Sequence, residues 1–271
     1  MPYAAVRRLA TTAGGSEVTL VRGEDGTLYA RKTVRPDAGD RPDLRRRIEW
    51  EGELLARIGG THHVIGCAGR TESPPALLLE YAPGGSLADR LAGETPLAPD
   101  ARRTVFAQLL DAVAHVHAAG MVHRDLKPSN VLFAADGSLR LIDFGVSARV
   151  GSRGTLGASW EEDDVGTLAY SAPEQLLHPA TATHPAADVY SLGVLLYEMA
   201  SGRLPFELEP GDDEARLRAR ILVGSPVPLR ERAPGIDPGL EEIVSAALRS
   251  NPDARILDVG ELGRALAALP G

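Results

Sequence analysis

An α+β chain of two unequal lobes is the fold class this sequence predicts: a small, mainly antiparallel sheet with one helix, then a larger, mainly helical lobe. Three observations predict it. Short β-prone runs crowd the residues up to Glu80, and from Asp100 onward apolar residues recur at helical spacing. Between the two lies A-P-G-G-S, Ala82 to Ser86, whose proline and glycines continue neither kind of element. The boundaries follow as residues 1–80 for the first lobe, 81–85 for the hinge and 86–271 for the second.

The first lobe reads strand by strand. Val6 to Leu9, Val18 to Arg22 and Leu28 to Thr33 are β-prone, and the turn signal G-E-D-G joins the last two into a meander. Arg45 to Ile58 places Ile48, Leu54, Leu55 and Ile58 near helical spacing before Gly59-Gly60 stops it. Val64 to Cys67 and Ala76 to Glu80 read as two more strands. Adjacent His62 and His63, read as extended chain, would point to opposite faces and make no metal pair.

In the second lobe, Asp100 to Ala119 carries Val105, Leu109, Val113 and Val116 on one stripe and ends at Gly120, which predicts a buried helix. Val131 to Phe133 and Leu139 to Ile142 flank the turn A-D-G as two short strands. Helices are expected around Val189 to Met199, Asp213 to Val223, Leu240 to Leu248 and Val259 to Leu269.

Bulk properties exclude several classes of function. A chain of 271 residues buries a substantial core without staples, and its single cysteine, Cys67, rules out an internal disulfide and a multi-cysteine zinc site. Cys67 reads as a small core residue. The amino terminus lacks the apolar core of a signal peptide, and no apolar run approaches bilayer length, so a soluble, cytoplasmic protein with no membrane span is expected. A net charge of −8 argues against nucleic acid as a partner and for basic protein segments as clients.

The chemistry concentrates in H-R-D-L-K-P-S-N, His123 to Asn130, a loop between a helix and a strand that supplies a carboxylate, an amine and an amide in fixed order. D-F-G, Asp143 to Gly145, follows at the end of the next hairpin. Magnesium takes one or two carboxylates together with phosphate oxygens and water, which Asn130 and Asp143 can complete around a nucleotide. Asp125 and Lys127 are left for the transfer itself.

With these motifs the chain resembles the eukaryotic-like (Hanks-type) protein serine/threonine kinases, in bacterial form, over nearly its whole length. The resemblance implies the bilobal protein-kinase-like fold and transfer of the ATP γ-phosphoryl group to protein hydroxyls, with magnesium, or manganese in its place. It implies that Asp125 orients the substrate hydroxyl and accepts its proton, that Lys127 steadies the γ-phosphate, and that Asn130 and Asp143 hold the metal. Lys32 in Y-A-R-K is similar to the lysine that grips the α- and β-phosphates, and Glu51 matches its ion-pair partner. Ala30, Val18 and Leu132 match positions that enclose adenine, Leu79 the gatekeeper, and the backbone of Glu80 and Ala82 the groups that bind the base edge. G-T-L-A-Y-S-A-P-E, Gly166 to Glu174, resembles the segment that docks a protein substrate, with Glu174 paired to Arg255. Asp188 would brace the catalytic loop from below, and His123, Phe144 and Leu55 would stack between the lobes.

The sequence departs from the family pattern in two places. The phosphate-covering loop has Thr11, Ala13 and Ser16 where three glycines are usual, and Gly14 and Gly15 fall between them as the residues that let the backbone approach phosphate. Weak, magnesium-dependent ATP binding is the expectation. T-H-H-V also replaces the usual H-P-N. In the activation segment Asp163 falls where relatives carry a phosphorylatable residue. With Glu161, Glu162 and Asp164 it forms an acidic run that could serve as a built-in substitute facing Arg124 and Arg149, or equally as a solvated loop. Ser152, Thr155 and Ser159 are the candidate autophosphorylation sites.

Taken singly, Lys32 reads as a solvated strand lysine and D-F-G as a turn. Their joint order and spacing is what carries the reading. Two other functions compete with a kinase. A pseudokinase would keep the fold and signal by shape, favoured only by the irregular glycine loop. A small-molecule phosphotransferase would lack the A-P-E segment and the helices beyond it. The chain ends almost at the last helix of the second lobe, as a stand-alone kinase or a fragment of a longer one would.

Overall fold

The computed structural model describes residues 3–11, 15–38, 41–72, 74–92, 97–152, 165–179, 183–206, 213–256 and 258–269. Five strands form the first layer: β1 (Ala4–Thr11), β2 (Ser16–Arg22), β3 (Leu28–Val34), β4 (Cys67–Glu72) and β5 (Pro75–Glu80). Their order is β1-β2-β3-β5-β4 and every pairing is antiparallel. The register sets Val18 opposite Lys32, Leu20 opposite Ala30, and Ala30 opposite Leu79. Because side chains alternate along a strand, Val18, Ala30, Lys32 and Leu79 share one face of the sheet.

Helix α1 (Pro42–Ile58) lies against that sheet, burying Leu44, Ile48, Leu54, Leu55 and Ile58. It starts three residues before the expected Arg45, because Pro42 takes the first-turn position where a missing N–H costs nothing. Gly52 lets helix and sheet approach closely, since a Cβ there would meet Leu77 Cδ2 at 2.7 Å. This contact brings Glu51 to the sheet.

The segment after α1 corrects the sequence reading. Strand β4 begins at Cys67, where Val64 to Cys67 had been expected as strand. Val64 and Ile65 are buried because they cross to the second lobe: Leu141 N–H donates to His63 O at 2.7 Å and Ile65 N–H to Leu141 O at 3.0 Å. His62 and His63 sit in a turn with φ of 46° and 61°, so they are not on opposite faces of a strand. His62 instead stacks on His115, ring centroids 4.6 Å apart. Cys67 packs against the core, and burial pushes its thiol above the usual range.

The second lobe opens with α2 (Leu87–Leu91), whose capping box joins Ser86 and Asp89. Helix α3 (Pro99–Ala118) buries the expected stripe of Val105, Leu109, Val113 and Val116. Strand β6 (Met121–Val122) leads into the catalytic loop, then β7 (Val131–Phe133) and β8 (Leu139–Leu141) form a hairpin, and β9 (Ala148–Arg149) pairs back with β6. Helices α4 (Val165–Leu168) and α5 (Pro173–Leu177) carry the A-P-E segment. Helix α6 (Ala186–Ser201) is buried at every residue except Glu198, as expected of a helix through the centre of a lobe. Helices α8 (Leu229–Arg232) and α9 (Pro238–Ala247) pack on it, α7 (Glu214–Val223) packs on α4 and α5, and α10 (Val259–Ala267) on α3 and α9.

Candidate active site

The catalytic loop is built on α6. Asp188, fully buried in its first turn, accepts the His123 N–H and the Arg124 N–H at 2.8 Å each, and its Oδ2 also meets His117 Nε2 at 2.8 Å. Burial would raise that carboxyl, yet His117 and the backbone donors hold it below the ordinary carboxylate range. This anchoring forces Arg124 into the left-handed region, φ 73°, and Gln175 Nε2 ties down its carbonyl at 2.9 Å. Such backbone costs on the order of 1 kcal/mol and persists where surroundings over-determine it.

His123 faces Phe144 edge-on, centroids 4.7 Å apart, and both are fully buried, as is nearly all of Leu55. Its Nδ1 accepts the Asp125 N–H at 3.2 Å and its Nε2 lies 3.1 Å from Ile142 O, which fixes the neutral ring with the proton on Nε2. Burial depresses its pKa against the pull of Asp188 and Asp125.

Around that frame the side chains converge in two charged groups. Lys32, on β3, donates to Glu51 Oε2 at 2.6 Å and to Asp143 Oδ1 at 2.9 Å. Burial favours its neutral amine, but Asp143 and Glu51 together hold it above its ordinary value. Asp143 sits at φ 66°; burial would raise its carboxyl, and the Lys32 and Lys127 ammoniums keep it well below the usual range. Glu51 Oε1 accepts the Phe144 N–H at 3.2 Å, so one carboxylate ties helix α1 to D-F-G directly through Oε1 and indirectly through Oε2, Lys32 and Asp143.

In the second group Lys127 Nζ lies 3.0 Å from Asp125 Oδ2 and 3.0 Å from Thr167 Oγ1, linking the Asp125 carboxylate to the A-P-E segment. Asn130 Nδ2 donates to Asp125 O at 2.7 Å and Oδ2 at 2.8 Å. Its amide oxygen is therefore turned away from Asp125, and Asp143 keeps Oδ2 beyond the atom bound by Lys32. Among the described residues no group of three or more His, Cys, Asp or Glu side chains could hold a metal alone. One carboxylate and one amide oxygen fit an ion that takes its other ligands from phosphates and water, as magnesium does.

The remaining expected residues are placed as follows. Glu174 pairs with Arg255 at 2.7 and 3.0 Å, and Arg255 also donates to Ala186 O, which fastens α5 under α6. Leu132 is half-buried on β7 and bridges to Ser86, with Glu80 ending β5 and Ala82 following it. Gly15, φ 93°, packs on α1, where a Cβ would meet Leu44 Cδ1 at 2.9 Å, and its carbonyl accepts the Arg35 N–H at 2.8 Å. Its glycine is demanded by that turn and contact. Gly14, Thr155, Ser159 and the acidic run Glu161 to Asp164 lie outside the described residues. Ser152 donates to Arg149 O at 2.8 Å. Arg124 donates to Val146 O at 3.3 Å and to Pro179 O, contacts with no motif of their own.

One cavity lies beside these groups and another lies apart from them. One of about 320 Å³ is lined by Leu91, Lys127, Thr167, Tyr170 and Glu198, beside the catalytic loop. Tyr170 donates to Glu198 Oε2 at 2.7 Å, and burial pushes the Glu198 carboxyl upward. The larger, about 640 Å³, opens among Tyr197, Pro228, Leu229 and α9 and touches none of the charged groups above.

The protein kinase domain model matches residues 4–258. A probable serine/threonine-protein kinase, PkwA of Thermomonospora curvata, is 38% identical over 257 residues, covering 94% of this chain and 32% of that protein. Serine/threonine-protein kinase PknL of Mycobacterium tuberculosis is 33% identical over 270 residues, covering 96% of this chain and 64% of its own length. The protein drp72 of Corynebacterium efficiens, also named a serine/threonine-protein kinase, is 34% identical over 88% of this chain and 45% of itself. The chain thus spans between about a third and two thirds of the relatives it matches.

Proposed function

The chain belongs to the protein kinase family, and on that footing we propose that it transfers the γ-phosphoryl group of ATP to serine and threonine hydroxyls of other proteins. One observation carries the reading: Lys32 joined to both Glu51 and Asp143, with Lys127 joined to Asp125 and Thr167. A pseudokinase has no use for both groups, and a small-molecule phosphotransferase has none for the Lys127 to Thr167 link.

Phosphoryl transfer needs little covalent help, so its catalysis is positioning and neutralisation of charge. Lys32 is held charged and aimed where α- and β-phosphates lie when adenine rests on Val18, Ala30 and Leu132 and bonds the backbone of Glu80 and Ala82. Asn130 and Asp143 would hold magnesium, which supplies neutralisation of the phosphate oxygens. As the substrate hydroxyl oxygen bonds to the γ-phosphorus and the bond to the ADP oxygen breaks, Asp125 takes the hydroxyl proton. Lys127 offsets charge on the transferring group. Glu198, in the cleft beside Lys127, suits a basic client segment. Use of ATP fits a cytoplasmic catalytic domain; no described helix is long and apolar enough to cross a membrane. The test is transfer of labelled phosphate to a basic protein with magnesium; absence of transfer from a protein that binds ATP would return the pseudokinase reading.

A further inference from the structure

Three segments far apart in sequence meet on one carboxylate behind the hinge. Arg140 Nε donates to both oxygens of Glu80, at 2.9 and 3.0 Å. The Gly66 N–H donates to Oε2 of the same group at 3.3 Å, and the Glu80 N–H returns a bond to Gly66 O at 2.8 Å. Arg140 is itself anchored, its Nη1 donating to Ser138 Oγ at 2.8 Å and to Leu139 O at 2.9 Å. The Glu80 and Arg140 side chains are 33% and 22% exposed, so the pair is shielded more than a free surface pair.

The location gives the bracket a consequence. Glu80 ends β5, and Arg140 stands on β8, three residues before Asp143. Leu141, next to Arg140, grips the turn after α1 through two main-chain bonds to His63 and Ile65. Strand β8 therefore holds the end of α1 by its backbone and the end of β5 by the Arg140 side chain, while leading directly into D-F-G.

We propose that Arg140 is a positioning residue for the nucleotide: by clamping Glu80 it fixes the hinge backbone that reads the adenine edge, in register with the strand that carries Asp143. This rests on the reading of Glu80 and Ala82 as adenine-binding backbone. The clamp acts on the base and not on the phosphates. Losing it weakens adenosine and ADP by the same factor and leaves turnover at saturating ATP nearly intact.

The experiment uses the full chain with Arg140→Met, which keeps the apolar stem, Arg140→Lys, which keeps the charge, and Glu80→Gln, which keeps the backbone. Titration calorimetry with adenosine and with ADP, amide exchange at Gly66 and Glu80, and steady-state kinetics are the readouts. Arg140→Met is expected to raise both dissociation constants and the ATP KM about three- to tenfold, with kcat within about twofold and faster exchange at both amides. Arg140→Lys recovers part of the loss, and Glu80→Gln adds little to Arg140→Met, as groups in one network do. Unchanged exchange and unchanged adenosine affinity overturn the proposal. Faster exchange with unchanged adenosine affinity also overturns it, leaving a structural bracket and the kinase reading intact. A wild-type protein that binds neither adenosine nor ADP overturns the adenine reading along with it.

Discussion

Lys32 shows how much depends on one atom. Its Nζ is shared by Glu51 and Asp143, so replacing it leaves two facing carboxylates with no cation between them. Lys32→Met is expected to lower kcat by about a hundredfold or more while the adenosine affinity holds, because the base rests on other groups; turnover at the wild-type level would show that the strand register does not serve the chemistry. His123 offers a pH test. The unfolded chain takes up a proton on this ring near the ordinary value of 6.5, whereas burial makes the folded protein resist it. The stability it contributes is therefore complete above that pH and is lost as pH falls below it. Protonation would also occupy Nδ1 and remove the acceptor of the Asp125 N–H. The His123 ring is expected to titrate below 6.5 by nuclear magnetic resonance, with the melting temperature falling as the pH drops from 7 to 5; titration at or above 6.5 would contradict this.

At the scale of elements, α6 matters most, because the whole catalytic loop hangs from its first turn. Asp188→Asn puts an amide where one carboxylate takes two main-chain donors and a histidine, so a loss of about 2–4 kcal/mol in unfolding stability is expected. Chemical denaturation measures it, and a change under about 0.5 kcal/mol would mean that the loop is held elsewhere. Which elements could be read in advance follows from their physics. Helix α3 announced itself through its apolar stripe, and strands β2 and β3 through β-prone runs joined by the turn signal G-E-D-G. Strand β4 was misplaced because Val64 and Ile65 look like strand and are buried, but by contacts with Leu141 across the lobes. Strands β6 and β9 are two residues long, too short for any period. Helix α2 carries a capping box in S-L-A-D that marks its start, though its five residues give little periodicity.

Across the whole molecule, the charged groups of the site come from both lobes, and only the folded chain brings them together. Lys32 and Asp143 are separated by 111 residues, and Lys127 and Thr167 by 40. Ordered motifs made the main residues legible, since H-R-D-L-K-P-S-N and D-F-G fix residue types at fixed intervals. The clamp of Arg140 on Glu80 was not legible: its partners lie 60 residues apart and neither belongs to a motif that names the other. Nor did the sequence show that Arg124 spends its guanidinium on the carbonyls of Val146 and Pro179. Whether these groups form a working transfer site is measured by incorporation of labelled γ-phosphate into serine and threonine of a basic protein, wild type beside Asp125→Asn. Transfer by the wild type, reduced about 10²- to 10⁴-fold in Asp125→Asn with nucleotide affinity and melting temperature unchanged, is the predicted result; equal transfer by the two proteins, or none by a wild type that binds ATP, would contradict it.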